Sequence, residues 1–185
     1  MRLIWQMIAF GTGLRPTEGD IESLRVSLIA AATACILWND IYSWPKEAGE
    51  YQQSGVYPTN AIMVLMKEHS INSEEALILC QRMVLQYEMK CRKATDELLN
   101  KEDHQLSPSG RALAKSLLLF IGGVALWSCT SDRFQSERMP EYNVLQRVLS
   151  AELPYVELDM DFENQFDDVF RGCEDIEKKL LQGVA

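Results

Sequence analysis

The residues best placed to do chemistry lie in Asn39-Asp40-Ile41-Tyr42-Ser43-Trp44-Pro45-Lys46-Glu47. Asn39, Ser43 and Glu47 recur at i, i+4 and i+8. At about 100° per residue, three such positions spiral over only about 80° of a helix surface, roughly 6 Å apart along its axis. An amide oxygen, a hydroxyl and a carboxylate on one face make a hard, oxygen-only donor set. Such a set suits a divalent ion that keeps several waters and also meets substrate phosphate oxygens, which describes Mg²⁺. Lys46, beside Glu47, offers a point positive charge to the same phosphate. The competing reading is a helix C-terminus whose polar residues go out to solvent. Pro45 favours it, because an internal proline removes a hydrogen bond and clashes with the turn before it. Lys46 and Glu47 would then lie past a kink.

The elements that must position these residues read as helical nearly everywhere. Residues 1–10 are apolar and stop at Gly11-Thr12-Gly13, like the tail of a helix. Thr17-Glu18-Gly19-Asp20 offers acidic residues and a cap before a long helix over about 20–44. Its middle, Ile29 to Trp38, is small or apolar on all sides and so belongs in the centre of a bundle. Residues 48–57 and Pro58 read as a loop, followed by a short helix over about 59–69 with Ile62, Leu65 and Met66 on one face. Asn72 and Glu75 have capping-box spacing and open a helix to about 100. Along it Leu77, Cys80, Val84, Tyr87 and Cys91 recur at threes and fours. Ser107-Pro108 breaks the chain before an apolar helix over about 109–131. After Met139-Pro140 the composition turns acidic, with Asp159, Asp161, Asp167 and Asp168, and reads as a tail or linker ending in a short helix. The expected class is all-α, with one domain over 1–140 and the acidic segment over 141–185.

Composition narrows the function. The 185 residues are 47% hydrophobic and 24% charged, enough for one domain with a real core. Lys plus Arg number 18 against 27 Asp plus Glu, a net charge of −9, which argues against a nucleic-acid partner. Cys35, Cys80, Cys91, Cys129 and Cys173 form no C-x-x-C pair, and His69 and His104 lie far from them in sequence, so a zinc site has little support. Buried free thiols in a reducing, cytoplasmic compartment are the expectation. The opening apolar run could imitate a signal peptide, but no small-x-small cleavage pattern follows it. The longest apolar stretch, Ser116 to Cys129, falls short of the roughly 20 residues of a spanning helix, so no membrane span is expected.

Asn39-Asp-x-x-Ser43-x-x-Lys46-Glu47 resembles the asparagine-serine-glutamate metal motif of class I terpene synthases, in particular the cyclase domain of fungal di- and sesterterpene synthases of the fusicoccadiene and ophiobolin type. Asn60 to His69, followed by Ser73-Glu-Glu-Ala76, is similar to the helix pair after that motif. Trp127-Ser128-Cys-Thr-Ser-Asp-Arg133-Phe134 resembles the family's late Trp-Ser…Arg-Tyr motif. The resemblance covers about residues 1–135. It implies an all-α bundle in which Asn39, Ser43 and Glu47 bind Mg²⁺ while Lys46 and Arg133 contact a diphosphate. The implied reaction is ionisation of an allylic isoprenyl diphosphate, with geranylgeranyl or geranylfarnesyl diphosphate ranked ahead of farnesyl diphosphate. The carbocation then cyclises in an aromatic-lined pocket, for which Trp38, Tyr42, Phe120, Trp127 and Phe134 are candidates. A prenyltransferase domain in a full-length protein is a further implication of this type.

The departures set the remaining expectations. Phe134 stands where the family carries tyrosine, so one hydroxyl donor is lost. No Asp-Asp-x-x-Asp motif precedes Asn39, and the diphosphate-sensing arginine of the family has no counterpart upstream of it. Asp167-Asp168 follows the arginine motif and lacks the third aspartate. The chain therefore reads as the C-terminal half of a cyclase domain, inactive by itself. Two rivals remain: a trans-prenyltransferase, whose second motif is aspartate-rich, and an all-α interaction module without catalysis. The enzyme reading requires Asn39, Ser43, Glu47 and Arg133 to converge on one cavity; the module reading does not.

Overall fold

The computed structural model describes residues 2–100 and 106–131, with side chains from Ile4 onward. Within them lie six helices: α1 (Arg2–Thr12), α2 (Glu18–Ser23), α3 (Arg25–Ser54), α4 (Ala61–His69), α5 (Ser73–Asn100) and α6 (Pro108–Thr130). Among the described residues there is no strand, and the all-α expectation holds. The boundary expected near residue 140 and the acidic segment beyond it lie outside the described residues.

The small-residue middle of α3 is the hub, as the sequence required. Ala30, Ala31 and Ala34 are essentially without exposure, and α3 packs chiefly against α5 and then α6. Ile36 is the exception, pointing outward from that stretch. From α5 come Ala76, Leu79, Cys80, Val84, Tyr87 and Cys91; from α6 come Leu113, Ala114, Leu117 and Ile121. Leu77 is only half-buried, so the core face of α5 is centred one position away from it, on Ala76 and Leu79. On α4 the buried set is Ile62, Met63 and Leu65, with Met66 at its edge. Each fully buried leucine contributes about 1.5–3 kcal/mol relative to exposure.

Two boundaries differ from the sequence reading, each for a local reason. The helix expected over about 20–44 divides at Leu24, whose N–H still bonds Asp20 O at 2.9 Å, and then runs straight through Pro45 to Ser54. Proline cannot donate to the Ile41 carbonyl, but tertiary bonds on either side hold the turn: before it Trp44 Nε1 donates to Ser73 Oγ at 2.7 Å, and after it Glu47 Oε2 accepts from Asn60 Nδ2 at 3.1 Å. Residues 48–54, expected as loop, are therefore helix. What stops α3 is Gly55, left-handed at φ 71°, with its N–H on Tyr51 O at 2.8 Å. Tyr57 then stacks on Tyr51 at 4.8 Å and lies under the Lys67 ammonium at 3.4 Å, folding the connection back onto α4.

The start signals behave as read. Thr17 and Asp20 form a reciprocal capping box on α2, and Asn72 and Glu75 form one at the start of α5. Ser107 caps α6 through Gly110 N–H at 3.1 Å, with Pro108 in the first turn. Cys35, Cys80 and Cys91 are buried free thiols; burial is the main cause pushing Cys35 up to about 12 and Cys91 up to about 11. Cys129 corrects the expectation, since it is exposed in the last turn of α6. By length and composition alone α3 and α6 are each apolar enough to cross a membrane, although neither contains an uninterrupted apolar run of that length; most of α3's apolar window is buried inside the bundle, and little of α6's.

Candidate metal centre

Continuation of α3 past Pro45 keeps Glu47 in helical register with Asn39 and Ser43. The alternative in which the helix ends there is therefore corrected. Ser43 is buried, while Asn39 and Glu47 are half-buried. The face is thus turned into the protein rather than to bulk solvent.

What it meets is the N-terminus of α4. Asn60 caps that helix through Oδ1, which accepts from Ile62 N–H at 2.8 Å, and it is only 2% exposed. The two N–H groups of its Nδ2 are shared among Asp40 O at 2.9 Å, Glu47 Oε2 at 3.1 Å and Ser43 Oγ at 3.3 Å. Asp40 completes the junction: its Oδ2 accepts from Ala61 N–H at 2.8 Å. Ser43 and Glu47 are thereby brought together at a single amide, and Asn39 lies one turn before Ser43 on the same helix.

The local electrostatics act on one carboxyl of the cluster. Burial pushes the Asp40 carboxyl up; the Ala61 N–H opposes this, and the nearby Glu47 charge adds to it. Among the described residues no three His, Cys, Asp or Glu side chains group as metal ligands. Any ion here must use amide and hydroxyl oxygens too. The donor chemistry of Asn39, Ser43 and Glu47 fits a hard, oxygen-seeking divalent cation.

The other candidates are more dispersed. Lys46 is exposed and pairs with Glu50 at 3.7 Å, so it engages its own helix rather than the Asn60 cluster. Trp38 stacks on Tyr42 at 5.7 Å, and its Nε1 donates to Glu88 Oε1 at 3.1 Å. Phe120 is half-buried on α6, whereas Trp127 is 53% exposed. Arg133 and Phe134 lie outside the described residues. Asp40 and Asn60 were not singled out as site residues by the sequence reasoning. The available signal was Asn60 itself, a cap-type residue opening an apolar helix.

Residues 1–90 hold this entire cluster and match the family described as terpene synthase family 2, C-terminal metal binding. The chain belongs to the terpene synthase family. It is 30% identical over 132 residues to a fusicoccadiene synthase of Phomopsis amygdali, covering 71% of this chain and 18% of that protein. It is 30% identical over 149 residues to a bifunctional sesterterpene synthase of Talaromyces wortmannii, covering 77% and 19%. An ophiobolin F synthase of Aspergillus calidoustus is 28% identical over 149 residues, covering 79% and 19%. This terpene synthase segment thus spans less than a fifth of the length of these relatives. The resemblance to fungal di- and sesterterpene synthases holds, as does the enzyme class at family level. The metal-binding description of residues 1–90 agrees with a divalent cation as the family's cofactor.

Proposed function

We propose that this chain supplies the Asn39–Ser43–Glu47 Mg²⁺ site of a class I terpene cyclase acting on geranylgeranyl or geranylfarnesyl diphosphate. One observation carries the reading: Ser43 and Glu47, a helical turn apart, converge on the Asn60 amide within the segment that matches a metal-binding family. Mg²⁺ held there would neutralise diphosphate charge as the allylic C–O bond breaks and the electron pair leaves with the diphosphate. Asn39, Ser43 and Glu47 would hold that ion, with Lys46 and Arg133 meeting the departing diphosphate. Lys46 would first have to leave Glu50, a low cost for an exposed pair. The carbocation would then close rings against apolar and aromatic walls.

The 185 residues contain no Asp-Asp-x-x-Asp motif, and we propose that the chain by itself does not turn over. It would act joined to a segment that carries that motif, in the cytoplasm. The direct test of the metal reading is Mn²⁺ binding to the full chain, followed by electron paramagnetic resonance. Stoichiometric binding weakened at least tenfold by Glu47→Ala supports the site. Binding that Glu47→Ala and Asn39→Ala leave unchanged contradicts it.

A further inference from the structure

We infer that Asn60 is a positioning residue for the cation site, orienting Glu47 and Ser43 before any ion arrives. The inference rests on the metal reading of α3 proposed above. Capping α4 needs only the Oδ1 atom, and Ser, Thr or Asp would serve there about as well. What Asn alone adds among these residues is an NH₂ group, whose two N–H donors are shared among three acceptors on α3.

The geometry leaves the metal-facing atoms in place. Asn60 takes Glu47 Oε2, so the carboxylate is fixed by one oxygen and can present Oε1 to a cation. Ser43 Oγ accepts from Asn60 at 3.3 Å and lies 3.4 Å from Asp40 O, which sets the direction of its remaining lone pair. The contact to Asp40 O at 2.9 Å ties the amide to the backbone of α3, and the bond from Ile62 N–H ties it to α4. The Asn60 amide is therefore anchored at both ends and buried, with little solvent access to replace its bonds. A Glu side chain held this way has less rotamer freedom to lose on ligation. Partners behind metal ligands typically change affinity 10–100-fold when removed.

The test is Mn²⁺ binding to the full chain carrying Asn60→Ser, which keeps a capping oxygen but is too short to reach Glu47. The expected result is affinity lowered roughly 10–100-fold, with far-UV circular dichroism and thermal midpoint close to those of the natural chain. A folded Asn60→Ser chain that binds Mn²⁺ as tightly as the natural one overturns the role of Asn60 and leaves the metal site standing. Failure of the natural chain to bind Mn²⁺ overturns both. If Asn60→Ser does not fold, the natural chain gives the answer through ¹⁵N spectra during Mg²⁺ titration. The Asn60 side-chain amide should shift with the same half-saturation as the backbone amides of Ser43 and Glu47. An Asn60 amide that stays fixed while those two move contradicts the inference.

Discussion

The carboxylate of Asp20 accepts both the backbone N–H and the hydroxyl of Ser107, at 2.7 and 2.6 Å, across 87 positions of sequence. The same carboxylate accepts from Thr17 N–H at 2.7 Å. One buried acid therefore closes the capping box of α2 and anchors the start of α6. Asp20→Ala leaves those donors without their acceptor in a buried place, and the expected loss is on the order of 3 kcal/mol. Urea unfolding of the two chains measures it; a loss below about 0.5 kcal/mol, the ordinary surface value, would mean that Asp20 is not the anchor.

The same bonds set a pH dependence. Burial pushes the Asp20 carboxyl up, but the hydrogen bonds from Ser107 and Thr17 outweigh it, and the group ends below its usual 3.8. A depressed carboxyl adds stability that is full above its unfolded value and lost as pH falls through the folded one. The stability gap between the natural chain and Asp20→Asn should hold steady from pH 7 to 5 and shrink below about pH 4. A gap that widens on acidification would reverse the sign argued here.

Gly110 is held to glycine by the same carboxylate. A Cβ there would come within 2.9 Å of Asp20 Cβ and closer still to its carboxyl. Gly110→Ala should destabilise by about 1–3 kcal/mol, although alanine is the better helix former. In the Asp20→Ala background much of that penalty should vanish, because the clashing carboxyl is gone. Additive penalties in the double-mutant cycle would show that the two residues do not touch.

The thiols offer a check on the packing. In a Cys173→Ser background, Cys129 should react quickly with an aromatic disulfide reagent under native conditions. Cys35, Cys80 and Cys91 should wait for unfolding, being buried and held as thiols. Rapid labelling of two or more groups in the folded chain would contradict the core described for α3 and α5.

Much of this was legible in residue pattern alone. The all-α class followed from 3.6-residue periodicity, and the capping pairs Thr17–Asp20 and Asn72–Glu75 are local chemistry that a sequence displays. Pro45 was misleading because its effect on a helix depends on what grips the neighbouring turns, and Trp44–Ser73 and Glu47–Asn60 are contacts between distant segments. Asn39, Ser43 and Glu47 stood out by spacing on one helix. Asn60 did not, because its bonds to Glu47 and Asp40 exist only once α4 folds back on α3. Ser107 announced a helix start; that Asp20 would be its partner had no sequence signal.

Catalysis by the isolated chain should be absent. With Mg²⁺ and geranylgeranyl or geranylfarnesyl diphosphate, the purified 185 residues should release no cyclic hydrocarbon above background, since charge neutralisation at the diphosphate is the main catalytic effect in such chemistry. Gas chromatography of an extract detects it, and clear product would show that one metal motif suffices.

The central claim is that the α3 face holds the ion for ionisation, and transplantation measures it most directly. Residues 1–135 replace the matching segment of the Phomopsis amygdali fusicoccadiene synthase, and Mg²⁺-dependent diphosphate release from geranylgeranyl diphosphate is followed. The chimaera should be active, and Asn39→Ala with Glu47→Ala should lower its rate at least about a hundredfold, as expected on losing ligands to a catalytic cation. An active chimaera whose double variant turns over at the same rate would reduce Asn39, Ser43 and Glu47 to polar residues of an ordinary helix.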